Sequence, residues 1–426
     1  MSDVNLIGFA GLSHLGVVYS VASAVRGFSV LGYDGRAGLA ESLNAGAFPV
    51  SEPGLAEAFE EHRARIRYTA SAEDLAVCRL IFLTLDVATD DGNTSDLVPL
   101  EALIERVSAC AASGVVLVLM SQVPPGFCRA LAARLDPRLR LIYQVETLVF
   151  GKAVARAIHP ERFMTGCADP KEGLPDVLRS YLEAFACPIL PMRFESAELC
   201  KIAINCFLVS SVTTSNTLAE ICEQTGADWY EIAPALRLDR RIGPHAYLSP
   251  GLGIAGGNLE RDLVTVQRLA AEHGSDAGVV TAWQRNSVYR RDWVLRQLFR
   301  LGLLERVGEI PLAVWGLAYK QDTHSTKNSP SLALLRSLSD YDWQAYDPVA
   351  TIAAAEFPRV RVCESALDAV RGAAALVVMT PWKEFAGVPM DRAAAAIRGR
   401  HVLDPYGVLD GNLCRELGLE YARLGS

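Results

Sequence analysis

The ten cysteines of this 426-residue chain are scattered, with no CxxC pair and no histidine pair at zinc spacing. Neither a disulfide framework nor a zinc site is therefore expected, and the thiols read as reduced and mostly buried. No uninterrupted apolar run reaches the roughly 18 residues that a membrane span needs, so no membrane partner is expected. The opening MSDVNLIGFAG has neither a basic n-region nor a cleavage site, which makes a cytoplasmic location the expectation. Positive charge is not in excess: 41 basic residues against 49 acidic ones give a net charge of −8. That balance argues against a nucleic-acid partner. An anionic ligand would need a local cluster, and Arg237–Arg241 (RLDRR) is one.

Half of the residues are hydrophobic and 21% are charged, the composition of a soluble globular protein. The length predicts two or three domains. The first half alternates strands and helices. Strands are expected at Asn5–Gly11, Phe28–Tyr33, Leu80–Leu85, Val115–Met120, Leu139–Tyr143 and Phe163–Cys167, with a helix over Val17–Arg26 and a loop at Asp90–Ser95. This alternation predicts a parallel sheet covered on both faces. Ser196–Thr225 has no Pro or Gly and carries apolar residues at helical spacing, so it reads as one helix of about 30 residues, roughly 45 Å long. A second long helix is expected across Gly278–Leu301. From about residue 308 the α/β pattern restarts: IPLAVWGLAYK (310–320), then a strand over Asp342–Tyr346 ending in Asp347. The front of the chain has the same order of strand, glycine turn, helix, strand and terminal Asp34. The expected fold is α/β, with two Rossmann-like doubly wound domains joined by a long central helix and a helical middle domain. The expected parts are 1–192, 193–305 and 306–426.

Three constellations carry chemistry. Gly11-Leu-Ser-His-Leu-Gly16 lies between a strand and a helix, where a dinucleotide fold needs a tight turn and close helix–strand packing. Gly11 and Gly16 supply these, Ser13 stands where a middle glycine is usual, and His14 and Leu15 complete the turn. Asp34, about 20 residues on, can accept both ribose hydroxyls and would repel a 2′-phosphate, so NAD is the expected cofactor. Lys201 and Asn205 are at i and i+4 on the long helix, hence on one face. By residue type alone, the lysine either snorkels to solvent or points into a cleft, and snorkelling is the commoner outcome. The third constellation is Ser249–Asp262, SPGLGIAGGNLERD. Four glycines in so short a run imply close backbone approach or positive φ, and a helix is expected from near Leu259.

The last segment resembles the signature of the UDP-glucose/GDP-mannose dehydrogenase family: Pro-Gly-aromatic-Gly, then Gly-Gly-Ser-Cys, then Pro-Lys-Asp. Aligned on Pro250, Gly251, Gly253, Gly256 and Asp262, the family's nucleophilic cysteine falls on Asn258. The resemblance runs in order from the front turn to about residue 410. It implies an NAD-dependent oxidoreductase acting on a nucleotide sugar, with Lys201, Asn205 and Asp262 providing charge stabilisation and proton transfer. Val145-Glu-Thr-Leu-Val-Phe-Gly151 aligns with the family's Pro-Glu-Phe-Leu-x-Glu-Gly. Glu146 thus matches its first glutamate, while Phe150 replaces the second. Gln122 replaces a threonine, and Leu83-Thr-Leu-Asp86-Val87 replaces the Val-x-Thr-Pro strand end beside the nicotinamide. Gly256 and Gly257, with Lys320 and Lys327, match substrate-contacting positions. Arg241 matches an arginine that family members lend to a neighbouring subunit, so at least a homodimer is implied. The arginine of the family's Asp-Gly-Arg loop is absent from Asp404-Pro-Tyr-Gly407.

An amide is not nucleophilic at neutral pH, so the covalent trapping used by the family is not expected. The leading expectation is a single two-electron oxidation of a CH–OH group. The alternatives are a complete four-electron oxidation without the thiol, or a non-catalytic nucleotide-binding relative. Cys200 and Cys206 are offset from Lys201 by one and five residues, which is expected to point them elsewhere.

Overall fold

The computed structural model describes residues 5–90, 95–305 and 310–426. The four opening residues, the middle of the Asp90–Ser95 loop and the domain border at 306 lie outside the described residues. The chain divides into two compact units, Met1–Ile204 and Asn205–Ser426.

In the first unit, strands β1 (Leu6–Ala10), β2 (Ser29–Tyr33), β3 (Ile66–Thr69), β4 (Leu80–Leu83), β5 (Val116–Leu119), β6 (Arg140–Gln144), β7 (Phe163–Cys167) and β8 (Ile189–Arg193) form one sheet. Its order is β3-β2-β1-β4-β5-β6-β7-β8. Strands β4 (LIFL) and β5 (VLVL) are buried at every position, as strands covered on both faces must be. Their side chains alternate between two cores. Phe82, Val116 and Val118 pack with the helix His14–Val25, while Ile81, Leu83, Leu117 and Leu119 pack with Ile104 and Leu131 on the other face. The sheet is not wholly parallel as expected, because β6 and β7 pair antiparallel. The short helix Ala153–Ile158 between them is followed by a direct return through His159–Arg162, which reverses the chain instead of completing a crossover.

The front turn is dictated by contact distances. Gly11 has φ +87°, and a Cβ on Gly16 would lie 2.2 Å from the Gly11 carbonyl oxygen and 2.7 Å from Thr84 Oγ1. Only a bare Cα lets the helix start this close to β1 and β4. Farther along, Glu198 accepts the amides of Gly126 (2.6 Å) and Cys128 (2.7 Å), closing the N-terminus of the helix Phe127–Arg134.

The long helix runs over Phe194–Thr225, 32 residues. Among the described residues it alone is long and apolar enough to cross a membrane by length and composition. It is nevertheless interrupted by Glu195, Glu198, Lys201, Glu220 and Glu223. The helix Trp229–Leu238 follows, then Asn258–His273. The expected helix across Gly278–Leu301 is two helices, Gly278–Arg291 and Trp293–Arg300. They break at Asp292, whose φ of −87° and ψ of 13° leave the helical basin. Aspartate competes poorly in a helix interior because its carboxylate engages nearby polar groups, and here it takes the Arg291 Nε at 3.2 Å.

The second unit ends in another sheet. Strands β9 (Leu312–Trp315), β10 (Trp343–Tyr346), β11 (Val360–Val362), β12 (Ala375–Val378), β13 (His401–Leu403) and β14 (Glu420–Ala422) are ordered β11-β10-β9-β12-β13-β14. All of its pairings are parallel. The first six strands of the front sheet, β3-β2-β1-β4-β5-β6, have the same order, so the front and rear repeats share one doubly wound topology. Buried Trp293, Trp315 and Trp343 anchor its core.

Gly16→Ala should lower the thermal unfolding midpoint by several degrees, equivalent to about 1–3 kcal/mol of overpacking. Gly387→Ala, at φ −91° and in ordinary contact with Glu384, should stay within about 0.5 kcal/mol. Scanning calorimetry of both variants checks this.

Candidate functional site

In the first unit, the turn residues converge at the carboxyl ends of β1 and β4. Gly11 donates its amide to Tyr33 O at 2.9 Å. The Ser13 hydroxyl donates to Thr84 O (2.9 Å) and accepts from the Asp86 amide (3.0 Å), so the residue in the middle-glycine position ties the turn to the end of β4. The Leu15 side chain is buried in the core, which leaves its backbone as the part available to a ligand. The His14 imidazole binds Glu52 Oε1 through Nε2 at 2.8 Å, and Phe150 stacks on it at 4.3 Å between ring centroids. Glu52, which the sequence reading missed, also accepts the amides of Gly151 and Ala153.

Asp34 follows β2 and is buried. It accepts the Leu12 amide (2.8 Å), and Arg36 grips it through the main-chain amide (3.0 Å), Nε (2.9 Å) and Nη2 (2.8 Å). Burial pushes its carboxyl up, but the bonds from Arg36 and Leu12 outweigh this and leave the pKa below the usual value. Arg36 was also missed, although an arginine two residues past the acid was the available signal.

Lys201 does not snorkel. Its Nζ meets Glu146 Oε2 at 3.1 Å and the Glu146 carbonyl at 2.9 Å, and its side chain is 14% exposed. Glu146 also receives the Leu148 amide. Gln122 is half-buried next to Ser121, whose hydroxyl donates to Leu85 O at 2.6 Å.

In the second unit, Asn205 Nδ2 donates to Asp262 Oδ2 at 2.5 Å, and Arg261 Nε lies 3.4 Å from Asp262 Oδ1. All three residues are buried. Asn258 is the first residue of the helix Asn258–His273, one position ahead of the expected start, and it is exposed. Of the four glycines before it, only Gly253 (φ +81°) and Gly256 (φ +94°) have positive φ. A Cβ on Gly253 would meet Ser287 O at 2.5 Å, and one on Gly256 would meet the Tyr319 ring at 2.9 Å. The segment is pinned by Asn216 Oδ1 accepting the Gly251 amide (2.8 Å), Ser287 Oγ accepting the Ile254 amide (2.8 Å), and Asn328 Nδ2 donating to Gly256 O (2.9 Å). Asn328 also reaches Glu260, and the Lys327 side chain lies against Gly257. Neither Asn216 nor Ser287 had a motif to mark it, and Glu260 lies in the glycine segment without having been singled out.

The remaining predicted residues are scattered over this unit. Arg241 is exposed and paired with Asp239 at 2.7 Å. Lys320 Nζ stands 5.7 Å from the centre of the Tyr319 ring. Asp404 is turned into the core, where it accepts the Leu409 amide and the Tyr421 hydroxyl. Asp347, the rear counterpart of Asp34, accepts the Leu317 and Ala318 amides (2.7 and 3.0 Å) and the Trp382 indole (3.1 Å).

The two thiols on the long helix differ. Cys200 Sγ faces Met164 Sδ at 3.4 Å. Cys206 is half-buried and packs against the apolar cluster of Val209, Ile254 and Leu263. Burial, then the Asp262 charge, push the Cys206 thiol up, which keeps it protonated and unreactive at neutral pH.

Comparison with known proteins matches the family models of the UDP-glucose/GDP-mannose dehydrogenase family: its NAD binding domain over residues 5–185, its central domain over 195–287 and its UDP binding domain over 313–411. The chain is 30% identical to the UDP-glucose 6-dehydrogenase AglM of Haloferax volcanii, covering 98% of this chain and 99% of that one. It is 28% identical to the UDP-glucose 6-dehydrogenase of Pseudomonas aeruginosa, covering 97% and 96%. A solved UDP-glucose dehydrogenase of Pyrobaculum islandicum superposes with a TM-score of 0.82 at 26% identity, covering 95% and 94%. The solved UDP-D-ManNAc dehydrogenase of Pyrococcus horikoshii shares the fold, with a TM-score of 0.83 at 22% identity over 99% of both chains.

Asp262→Ala should cost about 3–5 kcal/mol, because it removes the carboxylate that buried Asn205 and Arg261 share. A urea titration should show the lowered midpoint, and Asn205→Ala should cost less, about 1–3 kcal/mol.

Proposed function

The chain belongs to the UDP-glucose/GDP-mannose dehydrogenase family, and from that premise we propose that it oxidises a CH–OH group of a nucleotide sugar in one two-electron step. NAD, when bound, supplies the hydride acceptor. The front turn fits such a cofactor: the space a Cβ would fill at Gly16 is taken by backbone, and Asp34 and Arg36 stand together at the end of β2. Gly11, Ser13, His14, Leu15, Gly16 and Asp34 hold the dinucleotide in this reading, with Asp86 and Gln122 toward its nicotinamide end. Glu146, Phe150, Gly256, Gly257, Lys320 and Lys327 hold the substrate. Arg241 serves a neighbouring subunit of a homodimer or larger assembly. The parts 1–192, 193–305 and 306–426 divide the work into cofactor domain, central helical domain and nucleotide domain.

Loss of hydride from the carbon leaves a hydroxyl whose proton must also go. Lys201 and Asn205 stabilise the charge that builds on that oxygen, and Asp262 takes the proton through water. The observation that carries the one-step reading is Asn258. It stands exposed on the first residue of the helix, four residues before Asp262, and the motif resemblance aligns it with the family's cysteine. A carboxamide there orients a carbonyl oxygen but does not attack its carbon. Phe150 agrees with this, because an aromatic ring in place of a glutamate cannot activate the water that a thioester would need.

Incubation with NAD and a panel of UDP-, GDP- and dTDP-sugars should yield one NADH per sugar consumed and a carbonyl product. Two NADH per sugar with a uronic acid would refute the one-step reading. Treatment with iodoacetamide at neutral pH should leave the rate within about twofold, since no activated thiol takes part.

A further inference from the structure

Asp34 has no acceptor position left for a ligand while Arg36 stays where it is. A carboxylate offers about four lone-pair sites, and four donors take them. Two are main-chain amides, Leu12 on Oδ2 at 2.8 Å and Arg36 on Oδ1 at 3.0 Å. The other two belong to one guanidinium, with Nε on Oδ1 at 2.9 Å and Nη2 on Oδ2 at 2.8 Å. The fork thus places one donor on each oxygen, the pattern that the two hydroxyls of an adenosine ribose would present to the same acid. Nη2 also donates to Leu12 O at 3.1 Å, so the guanidinium closes across from the end of β2 to the glycine turn.

The two halves of Arg36 are held differently. Its main chain is fixed by the amide on Asp34 and by a carbonyl that accepts the Leu39 amide at 3.3 Å, in a turn through Gly38 at φ +74°. Its side chain is 56% exposed, over an Asp34 side chain that is 7% exposed. An ion pair with so exposed a partner holds by no more than about fivefold in equilibrium. The side chain can therefore swing off while the backbone keeps its root in place. That movement uncovers one acceptor site on each oxygen, and the amides of Leu12 and Arg36 still hold the carboxylate in position. The guanidinium then stays beside the ribose, tethered two residues from the acid that binds it.

We infer that Arg36 sets the choice between nicotinamide dinucleotides, and that it admits NADP to this site alongside NAD. The inference deepens the cofactor reading and rests on it. An unaccompanied aspartate would repel a 2′-phosphate. Here the charge of Asp34 is matched by a guanidinium that must leave the carboxylate when a ribose arrives, and whose planar fork suits phosphate oxygens. With NAD the displaced guanidinium gains no anionic partner at the 2′ position, whereas with NADP it does. Arg36 therefore works weakly against NAD and strongly in favour of NADP.

Calorimetric titration of the full chain with NAD and with NADP at neutral pH tests this without turnover. The parent should bind both, with the two affinities within about tenfold of each other. Arg36→Ala should bind NAD as tightly as the parent or up to about fivefold more tightly, and NADP on the order of tenfold or more weakly. Arg36→Lys keeps the charge without the fork, so its NADP affinity should fall between those two. Added salt should weaken NADP more than NAD in the parent, and both equally in Arg36→Ala. Position 36 is exposed, so thermal melts of both variants should match the parent. NAD binding without NADP binding in the parent, or a ratio of affinities that Arg36→Ala leaves unchanged, would overturn the inference and leave the cofactor reading intact. A parent that binds neither dinucleotide would overturn both.

Discussion

The closeness of Gly16 to the carbonyl oxygen of Gly11 sets the geometry from which the rest of the front unit follows. With no side chain between them, the helix His14–Val25 begins directly over the ends of β1 and β4. Ser13 can then bridge to Thr84 and Asp86, and the first-turn amides open toward the cofactor end of the sheet. The same approach brings His14 under Phe150 and against Glu52, so that the turn and the segment after β6 share one buried carboxylate. A bulkier residue at position 16 would disturb the strand spacing, the serine bridge and the imidazole contact together.

Much of this was legible in the sequence, for definite reasons. Strands such as LIFL and VLVL announce themselves because strands covered on both faces read as near-continuous apolar runs. The glycine turn with Asp34 announces itself because few residue types satisfy its geometry. Break points were harder. The interruption at Asp292 coincides with a single side chain paired to its neighbour Arg291, and the apolar spacing on either side hides it. Lys201 was ambiguous in isolation, since an apolar helix face is compatible with a lysine reaching either way. Its pairing with Glu146 is a contact across 55 positions that no local pattern carries. The supports of the glycine segment were invisible for the same reason: Asn216, Ser287 and Asn328 act through single side chains on separate elements.

The groups near Asn258 are polar and charged, with no activated thiol among the described residues. A thiol nucleophile needs an environment that lowers its pKa, and nothing of that kind surrounds Cys206, whose neighbours push its thiol the other way. Glu260 and Lys327 bring opposite charges to the same small volume as Gly257. Burial pushes the Glu260 carboxyl up, while Asn328, Arg291 and Lys327 hold it down. The rear repeat has taken a different course, since Asp347 is fully occupied by four amides and an indole of its own domain.

Gly253 is pressed against the main chain of Ser287, and the hydroxyl of that serine receives the neighbouring amide of Ile254. The loop bearing Asn258 is therefore latched to the helix Gly278–Arg291 at a point where neither backbone has slack. Any excursion of that segment would have to carry the helix with it as a lever, so the pair would move as one rigid body and not as a loose loop.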